Sequence, residues 1–277
     1  MTKEYVTYSI DLSQAENRIV AYEANCKKMM EAFETGVDVH SLTASGIFKK
    51  PPSEISNEED IKTGRKKPCS LGDGKHDERF WGKKGNHSSN YDIGIDELAL
   101  KLEITRNQAA FILSGYHEMY PEVQKNYQAE VRQKIMYDKT LTNLMGRNTV
   151  FLGKVCNSLF KEAYSCIPQG TVGDIINERG LNYVYYNEEL FPTVELLAQT
   201  HDEIIFQLPL TNWKEHVRVL TLIKTNLETP LTTTDGLRTF VIPADITIMR
   251  RFKCGKKVKK LDTVTLETLW EDLKNNQ

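Results

Sequence analysis

Two apolar segments that lie far apart in the chain each carry an aspartate at one end. Residues 5–10 alternate polar with apolar or aromatic side chains and lead into Asp11, while Asp202 stands between the apolar segments 193–199 and 203–209. These patterns predict β-strands. Because an unpaired buried carboxylate costs free energy, an aspartate at the end of a buried strand is favourable only when a cation binds beside it. We therefore interpret Asp11 and Asp202 as candidate metal ligands.

Each aspartate also has a local explanation. Asp11 could cap a helix predicted over residues 13–24, and Asp202 could be an ordinary turn residue of a hairpin. The flanks of Asp202 are so apolar that we expect a buried hairpin that delivers the carboxylate into a cleft. Two strand-borne carboxylates suit phosphoryl transfer with two Mg²⁺ ions, which clamp the attacking and leaving oxygens.

A third segment, residues 78–92, places polar groups at every fourth position. Arg79, Lys83, His87 and Tyr91 would form one stripe on a helix. Two cations, an imidazole and a phenol in line could grip a triphosphate and stack on a base. The alternative is a solvated basic helix face. The position of the stripe between the two carboxylate segments favours the first interpretation.

The overall charge is not that of a typical nucleic-acid-binding domain. The chain has 277 residues, with 36 Lys and Arg against 38 Asp and Glu, and a net charge of −2. Such balance does not exclude a nucleic-acid enzyme, because an acidic cleft can have basic flanks. The five cysteines are scattered and form no CxxC pair, which favours a reducing compartment. There is no membrane-spanning apolar run and no signal-peptide pattern, so we expect a soluble, cytoplasmic protein.

The order of predicted elements indicates the α+β class rather than regular βαβ alternation. A hairpin is predicted over residues 139–152, a strand over 238–249, and a surface insertion or mobile loop between residues 49 and 77, where a solvated linker is the simpler interpretation. We expect Pro168-Gln169-Gly170 to interrupt a helix. Helices are predicted over residues 13–24, 28–34, 38–47, 77–90, 96–102, 106–119, 121–136, 157–164, 172–186 and 213–228.

The three segments resemble, in the same order, three motifs of family A DNA polymerases. These are DLSQAENR (11–18), the stripe R-x3-K-x3-H-x3-Y from Arg79, and THDEI (200–204). Three smaller segments are also similar to the family: VDVHSLTA (37–44), Gly146-Arg147 and PQGTVGDII (168–176). The resemblance implies a right-hand palm with an antiparallel sheet and helical fingers, without a thumb. The palm would comprise residues 1–48 and 137–277, and the fingers residues 49–136.

The resemblance also implies roles for individual residues. Asp11 and Asp202 would hold two Mg²⁺ ions, with Glu203 close by as a third catalytic carboxylate. Glu16 would pack under the sugar and block a 2′-hydroxyl, and Tyr91 would stack at the template side. The residues that would contact the incoming deoxynucleoside triphosphate are Gln14, His40, Arg79, Lys83 and His87. The residues that would contact primer–template DNA or the core near it are Arg18, Arg147, Gln169 and His201.

The sequence departs from the family pattern at several positions. His87 stands where the family has Phe or Tyr, and Asp92 replaces a Gly. Family members carry a thumb and the first part of the palm before the motif that begins at Asp11. We therefore expect either one subunit of a split polymerase, whose second subunit carries the thumb and early palm, or the later piece of a gene that is interrupted by an intron or mis-called. The style of the motifs looks phage-like, which would place the protein in the host cytoplasm.

Two other functions compete with polymerisation. A non-catalytic DNA-binding replisome subunit would not need Asp11 and Asp202, which are both retained. A metal-dependent nuclease could use Asp11, Asp202 and Glu203, but it would not explain the stripe that begins at Arg79. Template-directed DNA synthesis accounts for both features.

Overall fold

The structure, a computed structural model, describes residues 4–251 and 254–275. The chain divides into two compact units. We call Met1–Ala15 with Gln169–Gln277 the sheet unit, and Glu16–Pro168 the helical unit. The sheet unit and the helical unit do not follow the three predicted segments, since residues 16–48 and 137–168 fall in the same unit as the predicted fingers. The assignment of palm and fingers stays a prediction.

The strands in chain order are β1 Tyr5–Leu12, β2 Thr140–Thr142, β3 Asn148–Val150, β4 Glu195–Thr200, β5 Glu203–Pro209, β6 Leu231–Thr232, β7 Thr239–Phe240, β8 Ala244–Arg251 and β9 Cys254–Lys257. The α-helices are α1 Ala15–Glu23, α2 Lys27–Glu34, α3 Val39–Phe48, α4 Glu58–Lys62, α5 Glu78–Ser89, α6 Ile95–Leu102, α7 Arg106–Met119, α8 Ala129–Tyr137, α9 Asn157–Asp174, α10 Asn182–Tyr185, α11 Trp213–Leu227 and α12 Thr263–Asn275. A 3-10 turn spans Pro52–Glu54, and π-helical segments span Val123–Gln128 and Ile175–Leu181.

The sheet unit is built on a five-stranded antiparallel sheet in the order β4-β5-β1-β8-β9. Alternation along β1 puts Val6, Tyr8, Ile10 and Leu12 on one face, and each is at most 1% exposed. That face packs on the core, as expected for a half-buried antiparallel sheet. The other face carries the polar residues of β1, including Asp11, so the period-two pattern determines which side of the sheet holds the carboxylate.

A buried histidine links β1 to α11. The Tyr8 hydroxyl lies 2.8 Å from His216 Nδ1, and His216 Nε2 lies 3.1 Å from the carbonyl oxygen of Pro209. A carbonyl can only accept, so Nε2 carries the proton and Nδ1 accepts from Tyr8. These hydrogen bonds fix the position of β1 relative to α11, the helix that carries His216.

The helical unit is organised around α3, which packs against α5 and α7 at very close range. A Cβ placed on Gly82 of α5 would lie 2.2 Å from the carbonyl oxygen of His40, and one on Gly115 of α7 would lie 2.8 Å from the Cα of Ile47. Only glycine permits these approaches without displacing backbone. The helices therefore meet backbone to backbone, which fixes α5 on α3.

The insertion between α3 and α5 is packed rather than a solvated linker. Ile55 and Leu71 are 5% and 7% exposed. The ring of His76 stacks on Phe80 with centroids 3.8 Å apart, and a Cβ on Gly72 would lie 2.7 Å from Trp81 Cζ2. The composition of this segment is mostly polar, so the sequence did not reveal that a few apolar residues pack it against α5.

Most predicted elements are confirmed, and several differ; helix α4 and strands β6 and β9, for example, were not predicted. Pro168 does not interrupt its helix, because α9 continues to Asp174; the flanking residues Ile167 and Val172 are buried, and their packing compensates for the one missing hydrogen bond. The predicted strand over residues 238–249 consists of β7 and the longer β8. Helix α12 was missed; it buries Leu266 and Trp270. Within the described residues, no helix has the length and hydropathy needed to cross a lipid bilayer.

Replacing Gly82 with alanine should destabilise the protein by about 1–3 kcal/mol, because the added methyl group overpacks the α3–α5 contact. Gly173 is the matched control, since it also lies in a helix but a Cβ added there would meet no atom within 4 Å. Gly173→Ala should be neutral or stabilising by about 0.5–1 kcal/mol. Chemical unfolding of both variants measures this, and an unchanged Gly82→Ala midpoint would contradict the close packing.

Candidate active site

Three carboxylates stand side by side across the sheet unit. In the register of β1 with its neighbours, Asp11 lies opposite Glu203 of β5 and opposite Asp245 of β8. Residues directly opposite each other in antiparallel strands point to the same face, with Cβ atoms about 5 Å apart. We call Glu203, Asp11 and Asp245 the carboxylate row. The backbone N–H of Leu12 also donates to the carbonyl oxygen of Asp202 at 3.0 Å, which ties the β4–β5 turn to the end of β1.

The row is electrostatically unfavourable by itself. Burial raises the pKa of Asp11 to about 6, the negative charges of Asp245, Asp202 and Glu203 act in the same direction, and Lys257 opposes them. Like charges directly opposite in a sheet are destabilising. A cation at this end of the sheet would relieve that repulsion, so the arrangement favours cation binding over a purely structural role.

Asp202 does not lie in a buried hairpin, and this prediction is wrong. His201 and Asp202 are exposed at the turn, and His201 has a left-handed backbone with a φ of 40°. Strand β4 is exposed along most of its length because it is an edge strand, whereas β5 has β1 on its other side. The apolar residues of β4 therefore led to a prediction of burial, but within the described part of the chain this strand is mostly exposed.

Asp245 was not identified from the sequence. The segment ADITIMRR alternates in burial, which puts Asp245 on the less buried face of β8. That alternation was visible, but it does not tell which strand β8 pairs with. The position opposite Asp11 depends on register between segments more than 200 residues apart.

The donor chemistry of the carboxylate row suits a hard divalent cation. Carboxylate oxygens are the ligands that Mg²⁺ prefers, and it is usually held by one or two carboxylates with water and substrate phosphates completing its shell. Among residues 4–251 and 254–275, no group of three or more His, Cys, Asp or Glu side chains is placed so that it could hold a metal ion together. An open site formed by Asp11 and one neighbouring carboxylate of the row is compatible with Mg²⁺.

The predicted stripe on α5 is only partly on the helix. Arg79, Lys83 and His87 lie on α5, with Lys83 and His87 exposed. The helix ends at Ser89, so Tyr91 lies in the following turn, although its ring still meets that of His87 edge-on at 5.9 Å. Asp92 has a φ of 55°, the left-handed conformation that favours glycine, and glycine is the residue that the resemblance implies at this position.

Arg79 is held by Asp38, the residue that caps α3. Arg79 Nε donates to Asp38 Oδ2 at 2.7 Å and Nη2 donates to Oδ1 at 2.9 Å. The same carboxylate accepts from the backbone N–H and the hydroxyl of Ser41. Burial alone would raise the pKa of Asp38, but the bonds from Arg79 and Ser41 lower it to about 2. The forked pair fixes the guanidinium on one side and leaves Nη1 for another ligand.

His40 is buried in a polar network behind α5. It is 6% exposed, and its Nδ1 lies 3.0 Å from Asn86 Nδ2. Asn86 Oδ1 accepts from Thr43 at 2.8 Å, and Thr43 lies 3.1 Å from the hydroxyl of Tyr120. An amide nitrogen only donates, so His40 Nδ1 is the acceptor and His40 is neutral. Direct contact of His40 with a triphosphate stays a prediction.

Glu16 and Tyr91 are joined by a hydrogen bond in which the phenol donates to Oε2 of the carboxylate. Burial and the charge of Glu16 raise the pKa of Tyr91. The neighbouring Asn90 is held by Asn17 and by Tyr116, which donates to Asn90 Oδ1 at 2.7 Å. The turn after α5 is therefore fixed from both sides, and it holds the carboxylate of Glu16 in place.

The other predicted contact residues are distributed over both units. Gln14 has a φ of 51°, and its buried Oε1 has no hydrogen-bond partner within the part of the chain that the structure describes, a costly state that is typical of functional sites. The Arg18 guanidinium lies 4.3 Å from the ring centroid of Phe33. Arg147 and Gln169 are exposed, Arg147 at the β2–β3 turn and Gln169 within α9. Their contacts with nucleic acid stay predictions.

The chain is similar to known proteins over most of its length. The model of DNA polymerase family A matches residues 1–236. DNA polymerase I of Helicobacter pylori is 27% identical over 219 residues, which cover 77% of this chain and 22% of that protein. DNA polymerase I of Geobacillus stearothermophilus is 27% identical over 213 residues, covering 74% of this chain and 22% of that protein. The chain therefore spans about a fifth of the length of these relatives.

A solved structure shows the same fold. The POL domain of Pol1 from M. smegmatis, in complex with DNA primer-template and dNTP, aligns with a TM-score of 0.70 and 22% identity. The alignment covers 89% of this chain and 40% of that chain. The predicted α+β class is thereby confirmed. These relatives are bacterial, and they do not support a phage-like origin.

Acidification should destabilise the helical unit through His40. Burial lowers the pKa of His40 to about 4, with Arg79, Lys83 and His87 acting in the same direction and Asp38 against it. An unfolded histidine titrates near 6.5, so the unfolded chain takes up the proton first as the pH falls. Stability present above pH 6.5 should therefore be lost between about pH 6.5 and 4, by up to about 3 kcal/mol.

Unfolding free energies measured across this pH range test the assignment. His40→Gln should show a smaller loss of stability than the wild type on acidification. His87→Gln, at an exposed histidine, is the control and should follow the wild type. Equal pH dependence in His40→Gln and the wild type would exclude the neutral buried histidine.

Proposed function

The chain belongs to DNA polymerase family A, and we propose that it performs template-directed addition of deoxynucleotides to a DNA primer. The observation that supports this most is the carboxylate row with Asp202 tied beside it, because Asp11, Asp202 and Glu203 are the positions that the family motifs mark as catalytic. The basic residues of α5 support the same activity. A nuclease would need the carboxylates but not a guanidinium held in a forked pair on a fixed helix.

Family A polymerases use Mg²⁺, and Asp11 and Asp202 would hold two ions in this chain. The chemistry that such ions supply is stabilisation of charge on the attacking and leaving oxygens. Glu203 adds negative charge next to Asp11. Asp11 is fixed by strand pairing on both sides, so its carboxylate needs little reorganisation when substrate binds.

The residues of the helical unit would bind and orient the triphosphate. Lys83 is an exposed ammonium, and Arg79 presents Nη1 while Asp38 holds its other nitrogens. Glu16 would exclude a 2′-hydroxyl, and Tyr91 would keep Glu16 in place through its hydrogen bond. Catalysis would then rest on positioning and electrostatics, as is usual in phosphoryl transfer.

We also propose that a second polypeptide or segment, carrying the thumb and early palm, completes the enzyme. Strand β4 is the outer edge of the sheet, and its Leu197 is 51% exposed. An exposed apolar edge strand is a template for further pairing. This edge is where an additional strand would fit.

Asp11→Asn and Asp202→Asn should each lower primer extension by about a hundredfold or more. Each substitution removes a carboxylate ligand of a proposed Mg²⁺ ion, and the positive charge of that ion stabilises the transition state. Binding of primer–template DNA should change little. Glu267→Gln is the control, since Glu267 is exposed on α12. The measurement is single-turnover extension by the complete assembly, with the thumb-bearing polypeptide present, together with a nuclease assay. Full extension by either variant would reject the assignment, and DNA degradation without extension would favour a nuclease.

Glu16→Ala should relax sugar selection, because the carboxylate no longer blocks a 2′-hydroxyl. Tyr91→Phe should relax it less, since Glu16 stays but loses its hydrogen bond. The ratio of ribonucleotide to deoxynucleotide incorporation measures both effects. An unchanged ratio in Glu16→Ala would exclude the steric role while leaving the polymerase proposal in place.

The chain alone should extend primers weakly and in a salt-sensitive manner, because contacts with DNA phosphates weaken as salt rises. Adding a polypeptide that carries the thumb and early palm should give a stable complex and raise extension. Size-exclusion chromatography and primer extension at matched concentrations measure these effects. Robust extension by the monomeric chain would contradict the two-part enzyme.

A further inference from the structure

The part of the chain beyond the family match adds two strands to the catalytic sheet. The match ends at residue 236, whereas β8 and β9 span Ala244–Arg251 and Cys254–Lys257. Strand β8 pairs directly with β1, and β9 pairs with β8. The charged side chains of these two strands therefore belong to the surroundings of Asp11, although the family motifs assign them no role.

Lys257 lies on the same face of the sheet as the carboxylate row. It pairs in register with Thr247, which stands two positions after Asp245 on β8. Residues two apart in a strand share a face. Lys257 Nζ reaches back to Asp245 Oδ2 at 2.8 Å, with side chains that are 67% and 38% exposed. The row thus carries a resident ammonium group at one end.

An ion pair of this exposure contributes little to stability, typically less than about 1 kcal/mol. Its charges nevertheless act on whatever binds near Asp11. Asp245 adds a negative charge next to Asp11, and Lys257 adds a positive charge that repels a divalent cation and competes for the same oxygens. Such opposing effects alter ion affinity even where they do not alter folding.

We propose that Asp245 and Lys257 are positioning residues that set the divalent-cation affinity of Asp11, with Asp245 raising the affinity and Lys257 lowering it. The inference rests on the proposed function, because it takes Asp11 as a metal ligand. Lys257 thereby keeps cation binding weak in the protein alone, so that substrate phosphates are needed to complete the shell.

The test is a titration of the full-length chain with Mn²⁺ in the absence of DNA, followed by electron paramagnetic resonance of the free ion. Lys257→Met should lower the Kd about threefold to tenfold, the change expected from removing one nearby, partly screened charge. Asp245→Asn should raise the Kd by a similar factor. Lys257→Arg keeps the charge and should restore the wild-type Kd.

Lys256→Met is the matched control. Lys256 is the neighbouring residue on β9, faces the opposite side of the sheet and pairs with Asp272 of α12 at 3.2 Å. Its substitution should leave the Kd unchanged. An unchanged or higher Kd in Lys257→Met would overturn the inference, and so would the absence of measurable Mn²⁺ binding in every variant. A purely structural pair would lower thermal stability in EDTA without tightening Mn²⁺ binding.

Primer extension separates this inference from the proposed function. If the Kd order holds while the wild type fails to extend a primer with the thumb-bearing polypeptide present, the polymerase proposal falls and the cation-tuning pair stands. If extension is normal but the Kd values of Lys257→Met and the wild type agree, the pair has no tuning role and the polymerase proposal stands.

Discussion

The antiparallel pairing of β1 with β5 on one side and β8 on the other is the constraint on which the candidate chemistry depends. Asp11 is placed by backbone hydrogen bonds on both flanks, so its position does not rely on a flexible loop. The same pairing forces Glu203 and Asp245 to stand beside it. Repulsion within the row is the cost of the arrangement, and it is tolerated because the hydrophobic face of β1 is fully buried on the other side of the sheet.

In the helical unit, too, closely packed backbone supports side chains that are available to a ligand. Close contact at Gly82 fixes α5 on α3, and hydrogen bonds of Asn86 with His40 and Thr43 join the two helices through buried polar groups. Arg79 and Lys83 are then presented from a helix that cannot easily shift along its neighbour. Satisfied buried networks of this kind specify one arrangement of helices rather than several.

The sequence allowed much of the fold and the site to be predicted because the informative signals are local. Alternation along residues 5–10 located β1, and apolar flanks singled out Asp202. The position of Asp245 beside Asp11 was not predicted, because it depends on the register between β8 and a distant strand, and no local sequence pattern contains that register. The exposure of the Asp202 turn was mispredicted for a related reason, since an apolar strand does not reveal whether it lies at the centre or the edge of a sheet.

The docking of the insertion has a mechanical consequence for α5. Phe80 and Trp81 use their rings to hold His76 and Gly72, and Trp81 is 2% exposed. A rotation of α5 about its axis would strip these rings of their cover and expose apolar surface to water. A movement of the helix that keeps these contacts would carry His76 and Gly72 with it, and one that breaks them would bring the indole of Trp81 into contact with water.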